Sequence, residues 1–280
     1  MLGKGTWLPS VLRRMRQRFS QQVLLALYEH DRQLAVDTYM DAEALPSVDT
    51  MAELGAHDYL VNGPLPAAPS LTMCYRGTSV FVMKALTRHE ARRLGEFHNT
   101  LGASPLHPNI ISYDYKENSR RTKAYMIMPL LPATLESMPY LAMEAALTLW
   151  ADMRDGLEYL HGMAFAHGDV KPANIGLSGT GHFVLIDLGS IARVEEDEAR
   201  ATKAYVPFDL FTSGRGMKST ASLDWWMLGM TLAEKACQQS RVEMGVGARE
   251  MTMQELRCHL SAPGQLPGSI WEEFSARVRV

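Results

Sequence analysis

The first half of the chain alternates hydrophobic and polar residues in short runs. Two of these runs, LTMCYR and SVFVMKAL, flank a short turn between residues 71 and 86 and predict a β-hairpin. The run AYMIM at 124–128 predicts a further strand. Residues 41–70 are rich in proline, alanine, aspartate and glycine, and they predict a loop or linker with one short strand near 59–61. The first half is therefore expected to be rich in β-structure.

Helical spacing marks three other stretches. Residues 87–101 begin with Thr87 and Glu90, a capping-box pair that predicts the start of a helix. Residues 141–161 repeat apolar residues every three or four positions, which predicts a long amphipathic helix. Residues 8–27 show the same spacing and carry four arginines on their other faces. This N-terminal helix is expected to pack on the domain or on a partner, to lie on a membrane surface, or to act as an organelle transit segment.

The stretch HGDVKPANIGLSGTGHFVLIDLG, residues 167–189, predicts two tight loops joined by a β-hairpin. The apolar runs IGL and FVLI flank the turn SGTGH, so the paired strands would return Asp187 to the neighbourhood of Asn174. A carboxylate and a carboxamide both offer oxygen ligands, which suit Mg²⁺ bound together with substrate phosphates. The alternative is a polar hairpin in which these two residues serve only as turn formers.

Two more residues of the first loop fit phosphoryl transfer. Asp169 would orient an attacking hydroxyl and accept its proton, and Lys171 would place a positive charge near the transferred phosphoryl group. The combined spacing of the aspartates, the lysine and the asparagine is a much stronger signal than HGD alone. We therefore interpret residues 167–189 as a catalytic centre.

Composition and charge place few limits on this interpretation. The 280 residues are 46% hydrophobic and 21% charged, which is typical of a soluble globular protein with one large domain or two smaller lobes. The net charge of −3 argues against a general nucleic-acid binder, and no nucleic-acid partner is expected. The three cysteines lack paired or metal-binding spacing, which fits an intracellular, cytoplasmic location, with organelle targeting by the N-terminal helix left open. No apolar run approaches the roughly 20 residues that span a bilayer.

HGDVKPAN and DLG resemble the catalytic and metal loops of protein kinases, HRDxKPxN and DFG. The resemblance implies that Asp169, Lys171 and Asn174 are catalytic and that Asn174 and Asp187 bind Mg²⁺. It gives His167 a packing and hydrogen-bonding role. Gly168 stands where most family members have an arginine that gathers a phosphate of the activation loop. Activity is therefore expected to be independent of phosphorylation in that loop.

The N-terminal half carries weaker parts of the same resemblance. FVMK, which ends at Lys84, resembles the VAIK strand, whose lysine holds the ATP phosphates and pairs with a helix glutamate. Glu90 is the favoured partner because apolar residues follow it at the expected spacing, and Glu96 stays open as the alternative. The alignment places Val82 and Gly176 on either side of the adenine.

The predicted strand at 124–128 resembles the strand before the kinase hinge. Met128 would then be the gatekeeper, Pro129 would offer its carbonyl to the adenine amino group, and Leu131 would offer its N–H to a ring nitrogen. The largest departure lies upstream, where NGPLPAAPS replaces the glycine-rich phosphate loop. Its prolines remove N–H donors that could cradle phosphate. Together with the larger side chain of Val82 above the adenine and the missing side chain of Gly176 below it, this predicts weak ATP affinity.

The C-terminal half adds features of protein-phosphorylating kinases. TKAYVP resembles the segment before the peptide-binding shelf, where Thr202 would bridge Asp169 and Lys171, and Tyr205 would belong to the shelf. SLDWWMLGMTLAEKAC, residues 222–237, resembles a core helix whose aspartate, here Asp224, hydrogen-bonds the catalytic-loop backbone. Few residues follow it, so the C-terminal lobe is expected to be trimmed.

The resemblance implies an α+β, two-lobed protein-kinase-like fold. The expected divisions are an N-terminal amphipathic helical extension at 1–40, a β-rich lobe at 41–131 and a larger, mostly helical lobe at 132–280. The expected function is Mg-ATP-dependent transfer of the γ-phosphoryl group to a serine or threonine hydroxyl of a protein. A pseudokinase scaffold is the main alternative because the glycine loop is missing. A small-molecule kinase of the aminoglycoside or choline type is less favoured, since it would not need the features of the peptide shelf.

Overall fold

The computed structural model describes residues 59–65, 68–102, 104–117, 123–138, 140–195, 201–207, 217–236, 252–260 and 266–278. The predicted N-terminal helix lies outside the described residues. The chain divides into two compact units. The first unit contains the described residues up to Ala91 together with Ser112–Pro132, and the second contains Arg92–Ile111 and the described residues from Ala133 onward. The expected domain boundaries, with a lobe division after residue 131, stay a prediction.

The first unit is built on one antiparallel sheet. Its five strands are β1 (Leu60–Leu65), β2 (Ala68–Arg76), β3 (Ser79–Leu86), β4 (Asp114–Glu117) and β5 (Ala124–Pro129), in the order β1-β2-β3-β5-β4. The predicted hairpin at 71–86 is confirmed, with Arg76 opposite Ser79 and Leu71 opposite Lys84. The predicted strand at 124–128 is confirmed as β5.

The short strand predicted near 59–61 is confirmed as part of β1, but the loop expected from there to residue 70 is wrong, and residues 41–58 lie outside the described residues. β1 and β2 pair from Leu60 opposite Tyr75 to Leu65 opposite Ala68, across the stretch that contains the prolines. Proline is tolerated here because β1 is an edge strand and needs hydrogen bonds on one side only. The register shifts between Val61 and Gly63 and again after Pro64, as bulges that absorb irregular residues do.

One face of this sheet forms a small core. Tyr59, Cys74, Met83 and Ile127 are buried together there. Burial raises the pKa of the Cys74 thiol to about 12, so the thiolate that reacts with oxidants is not formed at neutral pH. Cys74 is therefore a packing residue.

The second unit contains most of the helical structure. Helix α1 (Arg88–Leu101) begins in the first unit and runs into the second, and it is followed by α2 (Met143–Gly162), α3 (Ala221–Ala236), α4 (Met253–Leu260) and α5 (Gly268–Ser275). The three helices predicted at 87–101, 141–161 and 222–237 are confirmed within two residues at each end. Among the described residues, no helix is both long enough and apolar enough to cross a membrane.

Short strands of the second unit surround the predicted catalytic stretch. They are β6 (Ala133–Thr134), β7 (Phe165–Ala166), β8 (Ile175–Leu177), β9 (Phe183–Leu185) and β10 (Ala192–Arg193). β8 and β9 form the predicted hairpin, with Ile175 opposite Leu185. Asp152 on α2 supports it by accepting the N–H of Phe183 at 2.7 Å.

Helix α3 is the centre of the second unit, and most of its residues are buried. α5 packs on it closely, because a Cβ added at Gly229 would lie only 2.5 Å from the ring of Phe274. Arg277, just after α5, lies 5.0 Å from the centre of the Trp225 ring and also pairs with Glu158 and Glu273. These contacts fix α2, α3 and α5 against one another.

Candidate active site

The loop from His167 to Asn174, here called the catalytic loop, is anchored from α3. The Asp224 carboxylate is fully buried, and it accepts the backbone N–H of His167 at 2.7 Å and that of Gly168 at 2.9 Å. His161 Nε2 lies 2.9 Å from the same carboxylate. Asp224 thus holds the loop backbone immediately before Asp169, as the resemblance implies.

Gly168 adopts a backbone conformation that only glycine takes readily. Its φ is +82°, in the left-handed region, and a Cβ there would lie 2.6 Å from the carbonyl oxygen of Ser190. The close approach brings the chain after Asp187 against the catalytic loop. Glycine at this position is therefore a structural requirement of this chain.

The His167 ring links the catalytic loop to the end of β9. Its Nδ1 accepts the N–H of Asp169 at 3.3 Å, so the proton of the neutral ring lies on Nε2, which donates to the Ile186 carbonyl at 2.9 Å. The ring is fully buried. His167 therefore positions Asp169 and the residue before Asp187, and it is not exposed for proton transfer.

The Asp169 carboxylate is held by three residues. One oxygen accepts from Lys171 Nζ at 2.6 Å and from Asn174 Nδ2 at 2.9 Å, and the other accepts the Thr202 N–H at 2.8 Å. Lys171 Nζ also donates to Thr202 Oγ1 at 2.7 Å. The structure thus brings together the four residues that the sequence assigned to the transfer step and its threonine bridge.

The same contacts determine the charge of Asp169. Burial raises its pKa, but hydrogen bonds from Lys171 and Thr202 and the Lys171 charge outweigh burial and hold the pKa below its ordinary value. The carboxylate is therefore ionised at neutral pH. An ionised carboxylate can accept a hydrogen bond from a hydroxyl group, and its lowered pKa makes it a weak base.

Asn174 and Asp187 fit a magnesium ion bound with phosphates. Asn174 Nδ2 donates to the carbonyl and the carboxylate of Asp169. Its Oδ1 therefore faces away from these two groups and could serve as a metal ligand. The Asn174 carbonyl accepts the N–H of Ile186 at 2.9 Å, which places Asp187 next to it along the chain. In the described part of the chain no cluster of three or more His, Cys, Asp or Glu side chains could hold a metal. Phosphate and water oxygens would supply the other ligands, as is usual for Mg²⁺.

In the first unit, Lys84 forms an ion pair with Glu90, with 3.1 Å between Nζ and Oε1. Glu96, the alternative partner, instead pairs with Arg92 at 2.7 Å. Partial burial raises the Glu90 pKa, but hydrogen bonds from Thr87 and Lys84 outweigh it and keep that pKa below its ordinary value. Glu90 is therefore ionised and holds Lys84 near the end of β3.

The residues assigned to adenine lie on strands of both units. In the first unit, Val82 on β3 pairs with Met128 on β5, and both side chains are buried. Pro129 ends β5, and Leu131 follows it partly buried. In the second unit, Gly176 lies on β8 opposite Val184. Their assignment to adenine stays a prediction.

Tyr205 is buried, which differs from an exposed position on a peptide shelf. Its hydroxyl donates to Glu234 Oε2 on α3 at 2.7 Å, and its side chain is 1% exposed. The tyrosine therefore fixes the segment after Thr202 to the helix core. It would act on a substrate only through the position of that segment.

Sequence reasoning did not identify three polar residues that support the site. His161 contacts Asp224, Glu234 contacts Tyr205, and the buried Lys235 donates to the carbonyls of residues 136 and 138. All three lie on helices, where a single polar residue carries no motif. The only available signal was the presence of polar residues in otherwise apolar helical stretches.

Known proteins resemble this chain across most of the described residues. A family model for the protein kinase domain matches residues 74–278. Serine/threonine-protein kinase 16 of Mus musculus is 30% identical over 171 residues, which cover 52% of this chain and 55% of the relative. Serine/threonine-protein kinase RUNKEL of Arabidopsis thaliana is 31% identical over 178 residues, 60% of this chain and 13% of the relative. The chain thus matches about half of the mouse protein and a small part of the plant protein.

A solved structure shows the same fold. The Cydia pomonella Granulovirus kinase PK-1 superposes with a TM-score of 0.57 at 19% identity, over 77% of this chain and 83% of the viral one. The expected α+β fold, with a β-rich and a mostly helical part, is confirmed by this likeness and by the two units. Because the family model spans well over half of the chain and the catalytic and metal-loop motifs fall inside it, the chain belongs to the protein kinase family.

Proposed function

We propose that this protein transfers the γ-phosphoryl group of Mg-ATP to a serine or threonine hydroxyl of a protein substrate. The observation that carries the proposal is the Asp169 carboxylate, which is ionised and fixed by Lys171, Asn174 and Thr202 at 2.6–2.9 Å. Such a carboxylate provides the fixed acceptor that phosphoryl transfer to a hydroxyl requires. The similarity to proteins named serine/threonine-protein kinases supports the class of acceptor.

Each residue would have a separate task. Lys84, held by Glu90, would bind ATP phosphates, and Asn174 and Asp187 would hold Mg²⁺. Bound Mg²⁺ would neutralise phosphate charge as it develops during transfer. Asp169 would align the acceptor hydroxyl and take up its proton.

Lys171 and Thr202 would act at the acceptor side of the transfer. The lysine bridges the Asp169 carboxylate and the Thr202 hydroxyl at 2.6 and 2.7 Å. Its charge lies next to the position where a transferred phosphoryl group would carry negative charge. The threonine fixes the segment 201–207 to the catalytic loop, which supports a protein substrate over a small molecule.

A pseudokinase scaffold is the second candidate, because the stretch at 62–70 lacks a glycine-rich phosphate loop. β1 and β2 nevertheless form an antiparallel pair there, with two register shifts, so paired strands stand at that position. A scaffold would have no need of Lys84, Asp169, Asn174 and Asp187 in their contacts. The catalytic proposal accounts for all four residues.

Two substitutions separate binding from transfer. Asp187→Asn should weaken Mg-dependent ATP binding, because it removes a charged metal ligand, whereas Asp169→Asn should leave that binding nearly intact and abolish transfer. Calorimetry with and without Mg²⁺ measures ATP binding, and incorporation of labelled γ-phosphate into protein measures transfer. Equal loss of ATP affinity in both variants would contradict the assigned roles.

A further inference from the structure

Lys235 is a buried cation near the C-terminal end of α3, with 8% of the residue exposed. Its Nζ donates to the carbonyl oxygens of Glu136 at 3.3 Å and of Met138 at 3.1 Å. Both of these acceptors belong to the main chain, and neither is a carboxylate. A buried ammonium group requires such acceptors, because a charge that leaves water without hydrogen-bond partners is costly. The two carbonyls therefore compensate for the burial of this charge.

The two carbonyls lie at the end of a single 3₁₀ turn. Leu135–Ser137 form this turn, and the Met138 N–H closes it by donating to the Leu135 carbonyl at 3.2 Å. Carbonyls at the end of a helical turn lack donors within the turn, and a lysine side chain can satisfy them. Lys235 thus caps residues 135–138, which are called the capped turn below.

The main chain of the same lysine holds the residues that follow the capped turn. The Lys235 carbonyl accepts the Leu141 N–H at 2.8 Å. Within the turn Leu135 is fully buried, whereas Glu136 and Ser137 are exposed. The attachment of the turn to α3 therefore depends largely on Leu135 and on the hydrogen bonds of Lys235.

The capped turn directly continues β6, which connects it to residues predicted to bind the nucleotide. Thr134, the last residue of β6, lies opposite Gly176 on β8. Gly176 is predicted to lie below the adenine, and Leu131, predicted to donate its N–H to the base, precedes β6 by two positions. A shift of the capped turn would therefore move β6 and disturb both of these residues.

We propose that Lys235 is a positioning residue for nucleotide binding. It caps the turn at residues 135–138, the turn fixes β6 against β8, and this strand pair sets the position of the residues that bind adenine. The proposal rests on the proposed function, because its ligand is Mg-ATP, and it adds a residue of α3 to the supports of the nucleotide. Lys235 acts through the capped turn and not by contact with the reacting atoms.

The first test measures the capped turn directly and does not depend on activity. In amide hydrogen exchange, the Met138 N–H reports the turn and the Leu141 N–H reports the main-chain contact with Lys235. Lys235→Met retains a long, flexible side chain but removes the donors. Exchange should become about tenfold faster at Met138, as expected for one lost hydrogen bond, and stay unchanged at Leu141. Lys235→Arg retains charged donors and should restore most of the protection.

Thr231, one turn before Lys235 on α3, provides a matched control. It is fully buried, and its Oγ1 donates to the Met227 carbonyl at 2.9 Å within the helix. Thr231→Val therefore removes a buried polar group from α3 but no donor to the capped turn. Exchange at Met138 and affinity for Mg-ATP should both stay at the wild-type level. A general loosening of α3 would instead change exchange at Leu141 as well.

The second test measures nucleotide binding and turnover. Lys235→Met should raise the calorimetric Kd and the KM for Mg-ATP about tenfold, with kcat nearly unchanged, because the contacts of the catalytic loop stay in place. Lys235→Arg should recover most of the affinity. A lysine with a purely structural role would lower stability and leave the Kd for Mg-ATP unchanged.

The wild type supplies a further test that is independent of whether Lys235→Met folds. Coupling between two positions is reciprocal, so saturating Mg-ATP should slow exchange at Met138 and leave it unchanged at Ala276, whose N–H donates to the Glu272 carbonyl after α5.

The proposal would be overturned by unchanged exchange at Met138 or unchanged Mg-ATP affinity in Lys235→Met, by an arginine variant no better than the methionine variant, or by no effect of Mg-ATP on Met138 in the wild type. A wild type that binds no Mg-ATP would overturn both this proposal and the proposed function. A wild type that binds Mg-ATP but transfers no phosphate would defeat the proposed function alone, and the exchange and affinity results would still decide the role of Lys235.

Discussion

Gly168→Ala tests the geometry that places the catalytic loop against the chain after Asp187. The glycine has a φ of +82°, and an added Cβ would lie 2.6 Å from the Ser190 carbonyl oxygen. That oxygen belongs to the backbone, so it cannot move away by a change of rotamer. Relief of the contact would require the loop or the 190 backbone to shift, and the Gly168 N–H would then leave its 2.9 Å hydrogen bond to Asp224.

The cost has two parts. The left-handed conformation costs an alanine about 1–2 kcal/mol. Alanine also lowers the conformational entropy of the unfolded chain, which offsets about 0.4–1 kcal/mol of this cost. The close contact adds about 1–3 kcal/mol, as for other insertions into packed regions. We expect Gly168→Ala to lower the free energy of unfolding by about 1–5 kcal/mol, the sum of these ranges.

Gly181 is a matched control in the same unit. Its φ is +84°, and a Cβ there would meet nothing within 4 Å. Gly181→Ala should therefore cost only the conformational part, about 1 kcal/mol. Urea denaturation of both variants and the wild type gives the difference, which isolates the contact with Ser190. Phosphoryl transfer should fall strongly in Gly168→Ala and stay near wild type in Gly181→Ala.

Equal stabilities of the two alanine variants, with equal activity, would refute this account of Gly168. A loss of stability in Gly168→Ala without any change in activity would show that the contact with Ser190 does not set the position of Asp169.

Three further outcomes are expected. Burial raises the pKa of Asp169 and Lys171 is the first of the groups that lower it, so Lys171→Met should raise that pKa. The ionised carboxylate contributes stability that is present at neutral pH and is lost as pH falls through the folded-state pKa. In Lys171→Met this stability should therefore be lost at a higher pH, as urea denaturation across the acid range would show. Glu90→Gln should weaken Mg-ATP binding by roughly tenfold, while Glu96→Gln, whose partner is an arginine on the same helix, should leave calorimetric affinity unchanged. Gly229→Ala should lower the free energy of unfolding by about 1–3 kcal/mol, because its Cβ would lie 2.5 Å from a phenylalanine ring of α5; a neutral result in chemical denaturation would contradict that packing.

The hairpin of the catalytic stretch and the helices α1 and α2 were predictable because their signals are local. The turn residues between β8 and β9 and the capping pair of α1 each lie within a few positions of one another. Thr87 and Glu90 make the reciprocal hydrogen bonds of a capping box, at 2.8 and 3.3 Å. Such patterns determine local structure whatever surrounds them.

The sequence favoured Glu90 over Glu96 as the partner of Lys84 but could not decide between them. The cap bond to Thr87 turns the Glu90 carboxylate towards the start of α1, and Lys84, two residues before the end of β3, pairs with it there. Glu96 instead forms an ion pair with Arg92, four residues before it on the same helix. Which glutamate pairs with Lys84 depends on side-chain rotamers, and the spacing of residues in the sequence does not reveal them.

The proline-rich stretch was wrongly predicted as a loop because proline, taken by itself, disfavours a β-strand. At the edge of a sheet a strand needs only one row of hydrogen bonds, and bulges take up the residues that do not fit. The position of a strand in the order of a sheet is not visible in its own sequence. His161 was missed for a similar reason, since its contact with Asp224 joins residues far apart in the chain.

The most direct test of the account is transfer of labelled γ-phosphate from Mg-ATP to protein. Purified wild type should place the label on serine or threonine, either its own or that of an added protein, and mass spectrometry should identify the residue. Asp169→Asn should bind Mg-ATP like the wild type and transfer no label. A wild-type protein that binds Mg-ATP yet transfers no more label than Asp169→Asn would contradict the catalytic claim and identify the chain as a nucleotide-binding scaffold.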